Sequence, residues 1–450
     1  MSANQTNFES LLGRCNGQKV NIPDLFSVCP WDVEVTPWNE KLEIEVDSWR
    51  SRWIKSPKSL KRNQIIDPCL FARAAAPKAA FDDLVILSKW VAWTYYWDDA
   101  HDFGEFDGMT QEVIDHQKQT IELFRQCLFN ESPGSIKPTM ISPDYFTVQS
   151  AYEFAATVGE RSLSVSLKKW TLKVLANSCK AVSRLQHEFD KRTILDLETY
   201  WKLRMDSSAA LPTLAIILFA DQVAFPDWFF DHKLVLRAAE LADTIISIVN
   251  DIASARYELQ CKHVDNIIPI LVHHRGITPQ EAIDEAADIA RQASLDFEAL
   301  EPQLIQLGDS HGAAYEMQRF IKSCKYECTG IIHWHYHVRR YLPWKPGMDR
   351  GSLRIHIETS LPVFGDTEQN GPTNQTTGLL YKPNTGISAQ ILAFKMNEMD
   401  REAEACPNCT SNELCARCVE EKRKRAEKAR EKAQKDRTGK TKSSSTTNSK

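Results

Sequence analysis

The chain of 450 residues has no run of about 18 apolar residues, the length that a membrane-spanning helix needs. Its longest oily stretch, "LPTLAIILFA" at Leu211–Ala220, is too short and carries Pro212. The opening "MSANQTNFES" lacks the basic and apolar regions of a secretory signal. An excess of one charge is missing too: the formal net charge of -5 is too mild to name a partner. Most of the twelve cysteines are scattered through helical-looking segments, so reduced thiols are expected. Alternating apolar and polar runs, which strands need, are few, and no internal repeat recurs. What remains is a cytoplasmic, helical protein, with no membrane span and enough apolar sequence (42%) for a large core.

Residues 1–45 carry Pro23, Pro30 and Pro37 and are expected to be irregular. Residues 46–342 are expected to form one all-α domain, a bundle of many long helices. Within it, Leu84, Ser88, Val91, Tyr95, Asp98 and Asp102 recur at three- or four-residue steps, so one helix face runs from apolar to acidic. Residues 144–190, 195–220, 231–260 and 311–341 also have helical patterns. A helix over 279–300 starts after Thr278, with Pro279 in its first turn. Residues 343–390, rich in Pro, Gly, Thr and Asn, suggest a linker-like, loosely ordered extension. Residues 391–450 form a Cys-containing, charged tail that is partly disordered by composition.

The densest chemistry lies in "YYWDDAHDFGEFDG", Tyr95–Gly108. Asp98 and Asp102, four residues apart, share a helix face and suit hard cations such as Mg²⁺. D-D-x-x-D alone arises by chance in roughly one chain in ten of this length. A second stripe lies in "NDIASARYE", where Asn250, Ser254 and Glu258 are spaced i, i+4, i+8. Its amide, hydroxyl and carboxylate oxygens suit one further divalent ion. Two such faces in one helical domain imply a ligand that bridges several cations, and a diphosphate does this well. Arg204 in "YWKLRMDSS", and Arg339, Arg340 and Tyr341 in "HWHYHVRRY", supply donors for its oxygens.

In order, these elements resemble those of the class I terpene synthases, of the single-domain type common in fungi and bacteria. The resemblance covers roughly residues 30 to 342. It implies that Asp98 is the principal ligand of two Mg²⁺ ions, with Asp102 a second ligand or hydrogen-bonding partner. It implies that Asn250, Ser254 and Glu258 hold a third, that Arg204 senses the diphosphate, and that Arg340 and Tyr341 bind it as the site closes. Ser207 and the carbonyl near Ser208 take the family's linker and effector places, at a helix break that Pro212 favours. Three departures stand out. Tyr257 replaces the Lys often found before the final Glu, leaving Arg256 or Lys262 to compensate, and serines fill both the linker and effector places.

The implied reaction is loss of diphosphate from an allylic prenyl diphosphate, leaving a carbocation that aromatic faces stabilise without attacking it. Trp334, six residues before Arg340, is the foremost candidate, with Phe71, Trp90, Tyr95 and Phe219 behind it. A single helical domain points to farnesyl diphosphate and a sesquiterpene, made by a monomer or homodimer. Geranylgeranyl diphosphate is the alternative substrate. A prenyl-chain elongating transferase usually carries two D-D-x-x-D motifs, and the second site here is Asn-Ser-Glu. Outside the resemblance, Cys406, Cys409, Cys415 and Cys418 form C-x2-C-x5-C-x2-C, a candidate structural Zn²⁺ site with a spacer shorter than usual. The basic run after it is read as a solvated charged helix rather than a nucleic-acid-binding segment.

Overall fold

The computed structural model describes residues 3–102, 110–129, 137–142, 145–162, 164–338 and 340–359. The tail cysteines Cys406, Cys409, Cys415 and Cys418 lie outside the described residues, as do Glu105, Asp107 and Arg339. The chain begins with α1 (Ala3–Cys15), β1 (Lys19–Ile22), α2 (Glu40–Trp53), α3 (Pro57–Gln64), α4 (Pro68–Ala75) and α5 (Phe81–Asp102). It continues through α6 (Thr110–Phe129), α7 (Pro138–Ile141), α8 (Phe146–Ser150), α9 (Tyr152–Arg161) and α10 (Val165–Asp190). Then come α11 (Leu197–Ser207), α12 (Ala210–Ala220), α13 (Lys233–Gln260), α14 (Ile267–Arg275), α15 (Pro279–Ser310), α16 (Ala314–His337) and β2 (Leu353–His356). Among the described residues the protein is all-α apart from this strand pair.

Local chemistry sets where these helices start. Asp67 accepts from the Leu70 amide and is followed by Pro68; Asp196 accepts from the Thr199 amide. Thr278 and Glu281 form a reciprocal capping box before α15, with Pro279 in the first turn. α12 is apolar all round and buries every residue except Leu211, as expected of a helix at the centre of a bundle. α11 and α12 together, Leu197–Ala220, are long and apolar enough by composition to cross a membrane. The pair is broken at Ala209, carries Arg204 and packs against α10, α13 and α16, so it is a core element here.

α13 lies against α11, α12, α14, α15 and α16, and α5 against α2, α4 and α12. α16 crosses α4 at Gly330, where an added Cβ would stand 2.8 Å from the Ala75 amide nitrogen and 2.9 Å from the Ala74 carbonyl carbon. Those obstacles are backbone and cannot rotate away. Gly330→Ala is therefore expected to lower the thermal unfolding midpoint. Overpacking costs about 1–3 kcal/mol, more than the roughly 1 kcal/mol that alanine gains in helix propensity. A raised midpoint would refute this close packing.

In their described parts, residues 3–45 and 343–359, the ends carry structure where 1–45 was expected to be irregular and 343–390 linker-like; 360–390 lie outside the described residues. α1 buries Phe8, Leu11, Leu12 and Cys15, an amphipathic spacing that the proline-rich stretch behind it obscures. β1 pairs antiparallel with β2, matching Val20 to Ile355 and Ile22 to Leu353. Each strand finds its partner at the far end of the described chain, so neither shows as structure locally.

Candidate active site

α5, α10, α11, α12, α13 and α16 surround a cavity of about 210 Å³. Its mixed lining follows from the helix stripes. α5 presents Val91, Thr94, Tyr95 and Asp98; α13 presents Ile246, Ser247, Asn250, Ser254, Tyr257 and Glu258; α16 presents Glu327, Ile331 and Trp334. α11 adds Arg204, and Arg340 and Tyr341 line the cavity from beyond α16. Asp102 ends α5, and its side chain lies outside the described part.

The polar end is organised around Asp251, a buried carboxylate on α13 with no role in the sequence reading. Its Oδ1 accepts from Arg204 Nε at 2.8 Å, and its Oδ2 from the Tyr200 hydroxyl and, at 2.7 Å, the Ile267 amide. Arg204 also donates through Nη2 to Asn250 Oδ1 at 2.9 Å and to the Ser247 carbonyl at 3.3 Å. Burial works against the Arg204 charge, yet Asp251, Tyr200 and Glu258 hold its pKa above the usual value. The guanidinium can only donate, so it fixes the Asn250 amide with its oxygen toward Arg204. Asn250 Nδ2 then donates to His335 Nε2 at 3.1 Å. Burial lowers His335 to about 3, so the ring is neutral and can accept.

Farther along the stripe, Ser254 is 1% exposed, and its Oγ has no hydrogen-bond partner among the described residues. Glu258 Oε2 accepts from Asn266 Nδ2 at 2.8 Å. Burial first, then Asp251, pushes Glu258 up to about 7. A buried hydroxyl without a partner and a carboxyl short of positive charge fit a divalent cation. No group of three or more His, Cys, Asp and Glu converges among the described residues. The donors here are instead an amide, a hydroxyl and single carboxylates, which suits Mg²⁺.

Asp98 is half-buried and faces the cavity, whereas Asp99 is buried away from it. Asp99 pairs with Arg340 Nη1 at 3.3 Å and Arg62 Nε at 3.4 Å. Arg340 is enclosed, its guanidinium carbon 5.0 Å from the Tyr95 ring centre and 4.7 Å from that of Tyr257. Tyr257, where the family often has Lys, thus gives Arg340 an aromatic face. Arg256 donates to the Tyr341 carbonyl at 3.4 Å and Lys262 is exposed; neither lines the cavity. The Tyr341 and Tyr95 hydroxyls are 2.6 Å apart. Trp334 is buried, with Nε1 donating to the Ile66 carbonyl at 2.6 Å, and its ring is 5.1 Å from Tyr341 and 5.8 Å from Phe71. Trp90 and Phe219 are packed in the core and do not line the cavity.

α11 ends at Ser207, and Ala209 adopts φ 58° before α12 begins. This left-handed turn, costing about 1 kcal/mol or more for a residue with a Cβ, breaks the helix beside the cavity. Ser208 Oγ donates to Asp243 Oδ1 at 2.7 Å, and Ser247 Oγ donates to the same oxygen at 3.0 Å. Burial raises Asp243 from 3.8 to about 7. The folded state therefore holds a proton here that the unfolded chain has lost, and this contribution to stability fades as pH rises from 3.8 to about 7. Unfolding midpoints measured across that range should fall with pH, less steeply in Asp243→Asn. Identical slopes would contradict the assignment.

Known proteins are similar to this chain in sequence and fold. The family model for terpene synthase family 2, C-terminal metal binding, matches residues 89–294. Silphinene synthase peniA of Penicillium patulum is 24% identical over 347 residues, 75% of this chain and 90% of the relative. Germacrene A synthase of Nostoc punctiforme is 22% identical over 70% of this chain and 93% of its own. Among solved structures, the SVS_A2 protein from ancestral sequence reconstruction superposes with a TM-score of 0.60 at 20% identity, covering 73% of this chain and 93% of its own. An α-eudesmol synthase superposes at 0.57 and 18%, covering 68% and 97%. The chain is thus similar to the class I terpene synthases, in the family match over the segment that carries most of the cavity and in the relatives over most of its length.

Proposed function

We propose that the enzyme ionises farnesyl diphosphate, cyclises the resulting carbocation to a sesquiterpene hydrocarbon or alcohol, and releases diphosphate, with three Mg²⁺ ions as cofactor. The observation that carries this reading is one cavity lined by both kinds of side chain. Asn250, the unpartnered Ser254 Oγ and Glu258 line it together with Asp98 and Arg204. The apolar Phe71, Ile246, Ile331 and Trp334 line the same cavity. Asn250, Ser254 and Glu258 would hold one Mg²⁺, and Asp98 with Asp102 the other two. When bound, the ions supply positive charge to the leaving diphosphate oxygens.

The chain's own residues do the rest. Arg204 is held by Asp251 and Asn250, so its guanidinium is placed before the substrate arrives, and its charge costs no reorganisation as the C–O bond breaks. Arg340 and the Tyr341 hydroxyl add donors from the segment that closes over the cavity. The Trp334 ring offers a π face to the cation, and the apolar wall excludes water and folds the prenyl chain. Relatives named sesquiterpene synthases support the fifteen-carbon substrate, among them Agr1 of Cyclocybe aegerita. The reading includes a cytoplasmic monomer or homodimer, supported by eight described cysteines that are all free thiols.

The test is incubation with geranyl, farnesyl and geranylgeranyl diphosphate plus Mg²⁺, followed by mass spectrometry of the volatile products. A fifteen-carbon terpene from farnesyl diphosphate is expected. A preference for geranylgeranyl diphosphate would replace the sesquiterpene by a diterpene. Longer prenyl diphosphates, formed when isopentenyl diphosphate is added, would mark an elongating transferase.

A further inference from the structure

The deep part of the cavity holds a carboxyl group that neither the metal-binding stripe nor the diphosphate donors use. Glu327 lies on α16, 1% exposed, on the same stripe as Ile331 and Trp334. Seven residues from Trp334, it is about 10 Å farther along the helix axis. It lines the cavity, and its Oε2 has no hydrogen-bond partner among the described residues. Its position is fixed by the neighbouring residue: Cys328 Sγ donates to the Ala242 carbonyl at 3.7 Å, which sets the register of α16 on α13 beside Asp243.

A buried carboxylate with no cation and no donor costs several kcal/mol or more, so the group stays protonated. Burial, then the nearby Asp243 carboxyl, pushes Glu327 well above the usual carboxylic range. Asp243, its Oδ2 also without a partner among the described residues, stands near Glu327, and no basic residue pairs with either carboxyl among the described ion pairs. Glu327 is thus a neutral acid in the cavity wall. Such a group cannot be a base at the start of a reaction, but it can give up its proton to a reactive alkene and take one back.

The geometry points to Glu327 as a catalytic acid that reprotonates a neutral cyclic polyene midway through the reaction and then, as the carboxylate, accepts the last proton. This inference rests on the terpene-cyclising reading of the same cavity. The steps balance as follows. The first cyclic carbocation loses a proton to the departed diphosphate, which leaves as hydrogen diphosphate, and a neutral polyene remains. The Glu327 O–H bond breaks, and a C=C π pair forms a new C–H bond with that proton. A second carbocation now sits beside the Glu327 carboxylate. After further ring closure a C–H bond next to the cationic carbon breaks, its electron pair forms the final C=C bond, and the proton returns to Glu327.

The experiment uses the full chain equilibrated in D₂O, in excess over farnesyl diphosphate, so that each enzyme turns over once. Wild type should give a terpene carrying one deuterium. Glu327→Gln is nearly the same in shape but unable to donate an acidic proton. Its product should be a less cyclised, unlabelled polyene, and Glu327→Asp should restore part of the labelled product. The proposal is overturned by an unlabelled wild-type product, or by a Glu327→Gln product identical to the wild type in skeleton and label; the carboxyl would then serve only the packing of α16 on α13. Loss of helical content in Glu327→Gln would leave the wild-type label as the deciding result. Absence of diphosphate release from wild type would instead overturn the prenyl diphosphate reading itself.

Discussion

Asn250→Ala is expected to slow diphosphate release from farnesyl diphosphate by about a hundredfold to a thousandfold or more, with far-ultraviolet circular dichroism unchanged. The Asn250 oxygen accepts from Arg204 Nη2, and its amide nitrogen reaches His335. Alanine removes both bonds and the first oxygen of the stripe that continues to Ser254 and Glu258. It creates little strain, because Arg204 keeps Asp251 and the Ser247 carbonyl. The loss should therefore fall on the charge that develops in the transition state rather than on folding. Asp98→Ala, on the opposite wall, should lose as much for the same reason. Full activity in either variant would remove that residue from the site.

Asp251→Ala should act first on stability, lowering it by about 3–5 kcal/mol, the usual cost of leaving a buried charge without its partner. One carboxylate receives Arg204, the Tyr200 hydroxyl and the Ile267 amide. Truncation strands all three, and only Arg204 has other acceptors. The thermal midpoint should fall by several degrees and activity should be lost with it. Asp251→Asn keeps acceptor oxygen but not charge, so it should recover part of the midpoint while leaving Arg204 loosely held. A midpoint equal to wild type in Asp251→Ala would show that Arg204 is anchored elsewhere.

Much of this site was legible because helical spacing places side chains before any fold is known. Asn250, Ser254 and Glu258 had to share a stripe, and so did Tyr95 and Asp98. The spacing reads 195–220 as helical throughout, and the break between α11 and α12 entered only through the family resemblance, with Pro212 lying inside α12. The supporting residues were not legible. Asp251 follows Asn250 directly, so a spacing argument rotates it off the stripe; what it meets there, α11 and the start of α14, is tertiary information. Tyr200 was part of the quoted segment without a visible partner. Glu327 sits amid the charged and polar residues of "RFIKSCKYE", and a lone acid in such a helix looks solvated. The available clue for Asp243 was its place seven residues before Asn250, on the same stripe. Aromatic residues divide likewise: Phe71, Tyr95 and Trp334 line the cavity, while Trp90, alike in the sequence, donates to Thr213 Oγ1 inside the core. The strand pair of β1 and β2 is the extreme case, since each half is four residues long and is stabilised only by the other.

The central claim is that this cavity removes diphosphate from a prenyl chain with the help of divalent cations held by its oxygen stripes. The direct measurement is the rate of diphosphate release from farnesyl diphosphate as Mg²⁺ is titrated into enzyme freed of metal by a chelator. Release should be absent without the cation and rise to saturation with it, and Ser254→Ala should need more Mg²⁺ to reach half its maximal rate. Release that proceeds undiminished in excess chelator, or that no concentration of Mg²⁺ can start, would contradict the account.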